Sequence, residues 1–320
     1  MTLPLPGVPP YAHRRIVEEL PDLGYTDAWT GEAAGADGFV PLALAAAWAP
    51  SLHLGTAVVP VQTRGPALLA MTAATLAGAT RAGFTLGIGS SGPRFVTATN
   101  GIPFDRPYQR VRDALRFLRA AFAGKYLTGD FGSFQIEGFQ LAVPHPPPRL
   151  IVGALRPGML GLAGREADGA ATNFLAVEDV PAVVAALGGG ELMARLFVCP
   201  TRDVAYARAT GRRLLAPILT ARTYSAFHDW LGRGDRLAGV RAAWAAGDWA
   251  GAGAAIPDDV VDALLVHGSP ERCAEHVARY VAAGVDVPAL ALVPAPDFGA
   301  GPEAVREMVR ALSPAVVAYQ

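Results

Sequence analysis

The sequence predicts an α/β protein built on a parallel sheet. Short strand-like runs alternate with helical runs along nearly all 320 residues, and about eight strands can be counted. This alternation is the signature of successive β–α units, whose strands pair in parallel. A hydrophobic fraction of 52% beside 17% charged residues favours a large buried core. The pattern leaves open whether the sheet stays open or closes into a barrel.

The first part of the chain contains four predicted strands. Gly24 follows the first helix as a C-terminal glycine, and Pro66 opens a later helix at a position where its missing N–H costs nothing. The strands are predicted at Leu3–Leu5, Tyr25–Thr30, Leu52–Val61 and Phe84–Gly89, and the helices at Tyr11–Leu23, Pro41–Trp48, Pro66–Leu76 and Pro107–Ala123.

An irregular stretch then interrupts the alternation. Residues 126–141 are predicted to form a β-hairpin that turns around Gly129-Asp130, as an insertion into the repeat, and the proline-rich stretch 144–148 follows it. Beyond these, a helix is predicted at Met159–Ala167 and a long helical region before the last strand. The strands are predicted at Leu150–Leu155, Gly169–Phe174, Leu196–Thr201 and Ala289–Val293.

Composition excludes several functional classes. No apolar run approaches the roughly 20 residues that a membrane-spanning helix needs, and a net charge of −1 without a basic stripe argues against nucleic acid as a partner. The N-terminus has no signal-peptide pattern, so the cytoplasm is the expected location.

Cys199 and Cys273 are expected to pack as small apolar groups. No histidine spacing indicates a metal site.

Two glycine-containing turns are candidate ligand sites. The run from Gly87 to Gly92 has the G-x-G-x-x-G spacing, but Pro93 follows where a dinucleotide-binding helix should begin. We therefore interpret it as a strand end whose small residues let a ring or a phosphate approach the backbone. The run Leu155–Met159 opens a helix and can hold an anion on its free N–H groups, although an ordinary loop explains it equally well.

Polar residues at other predicted strand ends would converge on the active-site face of a closed barrel. Glu32 is the only carboxylate immediately beyond a strand, which makes it a candidate acid or base; a solvated loop carboxylate or a helix cap is the alternative. Asp37 either supports Glu32 or caps the next helix. The polar residues at these ends are Thr30, Glu32, Gln62, Thr63, Arg64 and Asn173.

Six stretches resemble, in the same order, the luciferase-like monooxygenase family and especially its F420-dependent branch. The resemblance implies a (β/α)₈ TIM barrel, here with the small β-hairpin insertion, formed by residues 1–320 as one domain with the cofactor ring at the barrel mouth. The strand count reached above agrees with this fold. The stretches are 24–39, 54–76, 84–93, 101–110, 162–169 and 256–266.

The resemblance also implies site residues. Many family members carry a non-proline cis peptide in the third strand that supports the deazaflavin ring, and the matching pair here is Ala57-Val58. The cofactor-binding residues implied in this way are Ala57, Val58, Gly89, Ser90 and Ser91 near the ring and Arg156, Pro157, Gly158 and Met159 at the phosphate. Leu155, from the same strand-to-helix turn, and Asn173, from its place at a strand end, are further candidates for cofactor binding.

The expected activity is hydride transfer between coenzyme F420 and a small, largely apolar organic substrate. An FMN-dependent monooxygenase supplied by a separate reductase is the alternative, and a non-catalytic flavin-binding barrel is a third. Sugar-phosphate dehydrogenases of the family carry a His and a Glu where this chain has Gly31-Glu32 and Ser91-Gly92, so a sugar phosphate is not expected. Residues 205–253 are expected to shape the substrate pocket, and a homodimer is expected.

Overall fold

The computed structural model describes residues 1–33, 35–142 and 146–316. The strands are β1 (Thr2–Leu3), β2 (Asp27–Thr30), β3 (His53–Thr56), β4 (Val59–Pro60), β5 (Phe84–Gly89), β6 (Leu127–Asp130), β7 (Gln135–Phe139), β8 (Arg149–Gly153), β9 (Gly169–Asn173), β10 (Glu191–Cys199), β11 (Val266–His267) and β12 (Val287–Leu292). The α-helices are α1 (His13–Glu19), α2 (Val40–Trp48), α3 (Pro66–Ala79), α4 (Pro107–Phe122), α5 (Pro157–Glu166), α6 (Val180–Leu187), α7 (Val204–Thr220), α8 (Arg222–Trp230), α9 (Ala238–Ala245), α10 (Trp249–Ala254), α11 (Asp258–Leu264), α12 (Pro270–Ala283) and α13 (Pro302–Ala311).

The main sheet is parallel and follows chain order. Its strands are arranged β1-β2-β3-β5-β8-β9-β10, with β11 and β12 both paired to β10 and β4 paired to β5. Strand β12 also contacts β1 and β2, so the sheet is curled and its first and last strands lie close together. This is the predicted α/β fold. The sequential order differs from the crossover order of a Rossmann sheet and agrees with our interpretation of the run from Gly87 to Gly92.

Two buried layers flank the sheet, because successive residues of a strand face opposite sides. The outer layer packs the strands against the helices. The inner layer, here called the inner core, is small and contains Trp29, Ile151, Ala171, Met193 and Ala289. A β-carbon on Gly55 would come within 2.3 Å of the Trp29 indole, so this glycine makes room for the one large inner ring.

The hairpin differs from its predicted turn. Strands β6 and β7 pair antiparallel, but the chain reverses between Phe131 and Phe134, where the Phe131 N–H donates to the Phe134 carbonyl at 3.0 Å. Gly129 instead lies at an irregularity in the register with φ of 138°. Stacking of Phe131 on Phe134, with both edges against Phe117, stabilises the turn at the aromatic pair.

Other element boundaries shift for local reasons. Helix α1 ends before Pro21, because proline cannot donate within a helix, and the predicted strand 52–61 is divided into β3 and β4. The short strand β11 was not predicted. Residues 144 and 145 of the proline-rich stretch lie outside the described residues. Both cysteines are buried and free, in line with their predicted packing. No described helix has the length and apolarity required to cross a membrane.

Candidate functional site

The carboxyl ends of β2, β3, β5, β8, β9 and β10 form one edge of the curled sheet, which we call the mouth. Between β3 and β4 the Ala57-Val58 peptide bond is cis, at the position that the resemblance implies. The Ala57 N–H donates to the Thr30 carbonyl, and the Glu32 N–H donates to the Val58 carbonyl at 3.0 Å. These bonds fix the cis peptide against the end of β2.

The Val58 side chain lies over two glycines of neighbouring strands. A β-carbon on Gly89 would be 2.6 Å from Val58 Cγ2, and one on Gly153 would be 2.9 Å from the same atom. Real β-carbons do not approach so closely, so both positions need glycine while Val58 stays in place. Val58, Gly89 and Gly153 therefore form an apolar surface at the mouth, here called the valine floor.

Two serines and a helix N-terminus border the valine floor. Ser90 and Ser91 follow β5, and Ser91 has φ of 54°. Helix α5 begins at Pro157, two residues earlier than predicted, and no side chain caps it. A β-carbon on Gly158 would meet nothing within 4 Å, so the first turn of α5 is open to a ligand. An open helix N-terminus attracts anions through its N–H groups and its dipole.

A charged cluster lies beyond β2. Glu32 Oε2 accepts from Arg64 Nη2 at 2.7 Å and from the Gly38 N–H at 3.0 Å. Asp37 also pairs with Arg64, and its Oδ1 accepts from the N–H groups of Phe39 and Val40.

Both roles considered for Asp37 therefore occur, since it supports the Glu32 pair and caps α2. Burial opposes its ionisation, but the hydrogen bonds from the backbone and from Arg64 outweigh burial and hold the pKa of Asp37 below its usual value. A depression of about 360 Å³ opens beside this cluster. Within the described residues the buried amide of Gln62 has no hydrogen-bond partner.

A third group at the mouth contains Asn173, which the sequence predicted, and Tyr224 and Arg195, which it did not predict as site residues. The Tyr224 hydroxyl, on α8, donates to Asn173 Oδ1 at 2.6 Å, which brings the helical region 205–253 over the end of β9. Arg195 is the register partner of Asn173 on β10, and its guanidinium carbon lies 4.9 Å from the centre of the Phe197 ring. The only sequence signal for Arg195 was a single charge within the otherwise apolar run from 192 to 199.

The structure thus brings most of the predicted site residues to one mouth. Gly89 and Asn173 end β5 and β9, and Ala57 and Val58 lie between β3 and β4. Residues 90–91 follow β5, and residues 155–159 form the loop after β8 and the start of α5. Glu32 lies beside them after β2. Thr30 and Thr63 are engaged locally, with hydroxyls that donate to the carbonyls of Gly38 and Pro60.

One protein-family model matches most of the chain. The model of the luciferase-like monooxygenase family matches residues 3–287. The chain belongs to this family. Its family membership agrees with the six stretches from which the resemblance was inferred.

Curated relatives of this luciferase-like chain include F420 enzymes. It is 25% identical over 297 residues to 5,10-methylenetetrahydromethanopterin reductase of Archaeoglobus fulgidus, covering 88% of this chain and 89% of the relative. It is 34% identical over 115 residues to the Mycobacterium tuberculosis protein Rv3520c, to which an F420-dependent oxidoreductase activity is provisionally assigned. That match covers 36% of this chain and 33% of the relative.

Solved structures of luciferase-like proteins show the same fold. The F420-dependent tetrahydromethanopterin reductase of Methanopyrus kandleri matches with a TM-score of 0.73 and 19% identity, over 97% of this chain and 96% of that one. The oxygenating constituent of 3,6-diketocamphane monooxygenase of Pseudomonas putida, solved with FMN, matches with a TM-score of 0.64 and 17% identity, over 96% and 92% of the two chains. The fold therefore accompanies both cofactors.

Proposed function

We propose that this luciferase-like protein is an oxidoreductase that binds coenzyme F420 and transfers hydride between it and a small organic substrate. The valine floor carries the proposal, because it offers a tricyclic ring an apolar support at the mouth, next to the open N-terminus of α5. The relatives named for F420 chemistry favour F420 over FMN as the ligand of this floor.

The residues at the mouth fit such a cofactor. Its ring would lie on Ala57, Val58 and Gly89, with Asn173 at a neighbouring strand end and Ser90 and Ser91 along the side chain of the cofactor. Its phosphate would be held by backbone N–H groups in the stretch Leu155–Met159, which includes Arg156, Pro157 and Gly158. The open space at Gly158 leaves these groups accessible.

When bound, the cofactor supplies or accepts the hydride. Glu32 is our candidate for the accompanying proton transfer, because Arg64 and the Gly38 N–H both engage Oε2 and Oε1 has no partner among the described residues. The ion pair with Arg64 fixes the orientation of the carboxyl group, and Oε1 can then exchange a proton with a substrate oxygen. The small side chains around the valine floor leave apolar space for the body of the substrate.

An FMN-dependent monooxygenase is the second candidate, favoured by the FMN complex of the Pseudomonas putida protein. In that case a separate reductase would supply the reduced flavin. A barrel that binds flavin without catalysis is the third. All three use the same floor and differ in the cofactor and in the co-substrate.

We also propose that contact between β12 and β1 closes the sheet into a (β/α)₈ barrel formed by residues 1–320 as one domain, with the β6–β7 hairpin as an insertion. A homodimer through α2, α3 and α4 accompanies this proposal. These helices contact one another and expose the large apolar side chains Val40, Leu68, Met71 and Tyr108, a pattern typical of interaction surfaces.

Titration of the purified protein with F420 and, separately, with FMN tests the cofactor, with the fluorescence of the bound cofactor as the signal. We expect saturable low-micromolar binding of F420 and weak binding of FMN. A preference for FMN would favour the monooxygenase. Binding of neither would exclude all three candidates.

A further inference from the structure

Arg195 is the one charged residue in a layer of inward-facing positions near the mouth. On seven strands, the next layer toward the mouth is formed by the positions two residues after Trp29, Gly55, Gly87, Ile151, Ala171, Met193 and Ala289, since every second residue of a strand faces the same side. All but two of them are glycine or alanine, and Arg195 is the one charged residue. The layer consists of Gly31, Ala57, Gly89, Gly153, Asn173, Arg195 and Ala291.

The guanidinium of Arg195 reaches across the mouth. A β-carbon on Gly31 would lie 3.7 Å from Arg195 Nη1 and 3.1 Å from the Ala57 carbonyl oxygen. The charged group therefore extends from β10 toward the ends of β2 and β3, next to the cis peptide. It lies in the space beside Gly31, which has no side chain.

In the part of the chain that the structure describes, no acidic group pairs with this charge. Among the described residues Arg195 makes no ion pair or hydrogen bond, and its Nε atom is buried without a partner. Glu32, the nearest acid in sequence to Gly31, is engaged by Arg64. Burial lowers the pKa of Arg195, and the neighbouring Tyr224 opposes this effect, but a guanidinium stays protonated in proteins. Arg195 is partly buried, and an unpaired charge in such a position is unfavourable, so the protein retains a charge that a ligand can neutralise.

The surroundings define the shape of that ligand. The Phe197 ring lies under the guanidinium and stacks on Phe174 with 4.5 Å between ring centres. Tyr224 meets Phe174 edge to face. These rings form apolar and aromatic walls, and the Arg195 donors provide one polar anchor between them. A guanidinium edge matches a carboxylate with two parallel hydrogen bonds.

We propose that Arg195 binds the carboxylate of the substrate, so that the enzyme acts on an organic acid with an otherwise apolar or planar body. This inference rests on the proposed function, in which the reacting substrate lies over the valine floor. Arg195 then recognises the substrate, whereas the N-terminus of α5 binds the phosphate of the cofactor.

Calorimetric titration with matched probes tests the proposal. The probes are benzoate and pyruvate, each compared with its neutral isostere, benzamide and pyruvamide. We expect the wild-type protein to bind at least one carboxylate tenfold or more tightly than its amide. Arg195→Met should abolish this preference and Arg195→Lys should retain part of it, while the control Arg213→Met, at an exposed arginine of α7, should retain all of it.

Thermal unfolding gives a second readout. Without ligand, Arg195→Met should raise the Tm, because it removes an unpaired charge from a partly buried position, whereas an arginine that only supports the Phe197 ring would lower the Tm when replaced. An absent preference for carboxylates in the wild-type protein would overturn the proposal. The proposal would also be overturned if Arg195→Met kept the preference for the carboxylate over the amide. The same holds if Arg195→Met lost F420 affinity while this preference stayed unchanged.

Parallel F420 titrations separate this inference from the proposed function. If F420 and FMN both fail to bind while the carboxylate preference depends on Arg195, the cofactor proposal fails and the anion site stands. If F420 binds and the preference is absent, the cofactor proposal stands and Arg195 has another role.

Discussion

Val58 and Gly89 depend on each other at the mouth. The Val58 Cγ2 atom lies 2.6 Å from the point that a β-carbon on Gly89 would occupy, so the valine can stay over β5 only because residue 89 has no side chain. Val58 also follows the cis peptide bond, and its carbonyl accepts from the Glu32 N–H. The same residue thus joins the valine floor to the proposed acid–base residue.

Gly89→Ala should therefore disturb both stability and cofactor binding. The added methyl group must displace a short branched side chain in a tightly packed region, which costs about 1–3 kcal/mol of unfolding free energy. We expect F420 affinity to fall at least tenfold as the floor shifts. Urea unfolding and F420 titration measure the two effects.

Gly92→Ala is the matched stability control, because a β-carbon there meets nothing within 4 Å. It should unfold like the wild-type protein. Equal unfolding free energies for the two variants would show that Val58 relaxes without cost and that the floor is not a rigid support.

The alternation of strands and helices was enough to predict the α/β fold, because each β–α unit carries its own local signal. The position of the cis peptide came from the family resemblance instead, since no local property of Ala57 or Val58 predicts it. Glu32 was located by its position just after a strand. Its ion pair with Arg64 depends on a loop conformation that periodicity does not describe.

Arg195 and Tyr224 show what the sequence left hidden. A strand pattern does not indicate which face of β10 points inward, so one arginine among apolar residues carries no sign of being central to a site. Tyr224 lies 51 residues from Asn173, on a helix whose place over the mouth is set by tertiary packing. Gly129 was misplaced for a similar reason, because a glycine serves a bulge as well as a turn.

Gly158→Ala should separate stability from binding at α5. The new β-carbon has open space around it, and replacing glycine by alanine in a helix stabilises by about 0.5–1 kcal/mol. The methyl group would, however, occupy the approach to the N–H groups that we assign to the cofactor phosphate. We expect unchanged or higher stability together with at least fivefold weaker F420 binding.

Gly78→Ala, in the last turn of α3, is the control for this experiment. Its β-carbon also meets open space, but it lies far along the chain from α5 and outside the residues assigned to the cofactor. It should leave F420 affinity at the wild-type value. If Gly158→Ala binds F420 as tightly as Gly78→Ala does, the phosphate lies elsewhere.

Glu32→Gln tests the proposed proton transfer. The glutamine keeps the size of the side chain, and its amide oxygen can still accept from the Gly38 N–H and from Arg64, so the loop should hold its shape. Loss of general acid–base catalysis lowers rates by about 100-fold or more. We expect kcat, measured with the first substrate found by screening, to fall by about this factor while KM changes little.

The exposed Glu178, whose one described partner is Arg279 at 3.4 Å, provides the control. Glu178→Gln should retain the wild-type kcat. A Glu32→Gln enzyme with undiminished kcat would leave water as the proton carrier and reduce Glu32 to a support for Arg64.

His228 makes stability depend on pH. It is fully buried, and both ring nitrogens lack a hydrogen bond among the described residues. Burial lowers its pKa from 6.5 to about 3, and the positive charges of Arg233 and Arg241 act in the same direction, against Asp229. Below pH 6.5 the His228 ring therefore binds a proton in the unfolded chain but stays neutral in the folded chain. The stability that depends on neutral His228 is complete above pH 6.5 and is lost as the pH falls toward 3.

His228→Leu should remove this dependence. As the pH falls below 6.5, the unfolding free energy of the variant should rise relative to that of the wild-type protein. The slope of this difference should approach about 1.4 kcal/mol per pH unit. Urea unfolding between neutral pH and the onset of acid denaturation measures the difference, with far-UV circular dichroism to verify that both proteins are folded. Parallel curves for the two proteins would mean that His228 accepts a proton in the folded state, for example through a water molecule that also binds its ring.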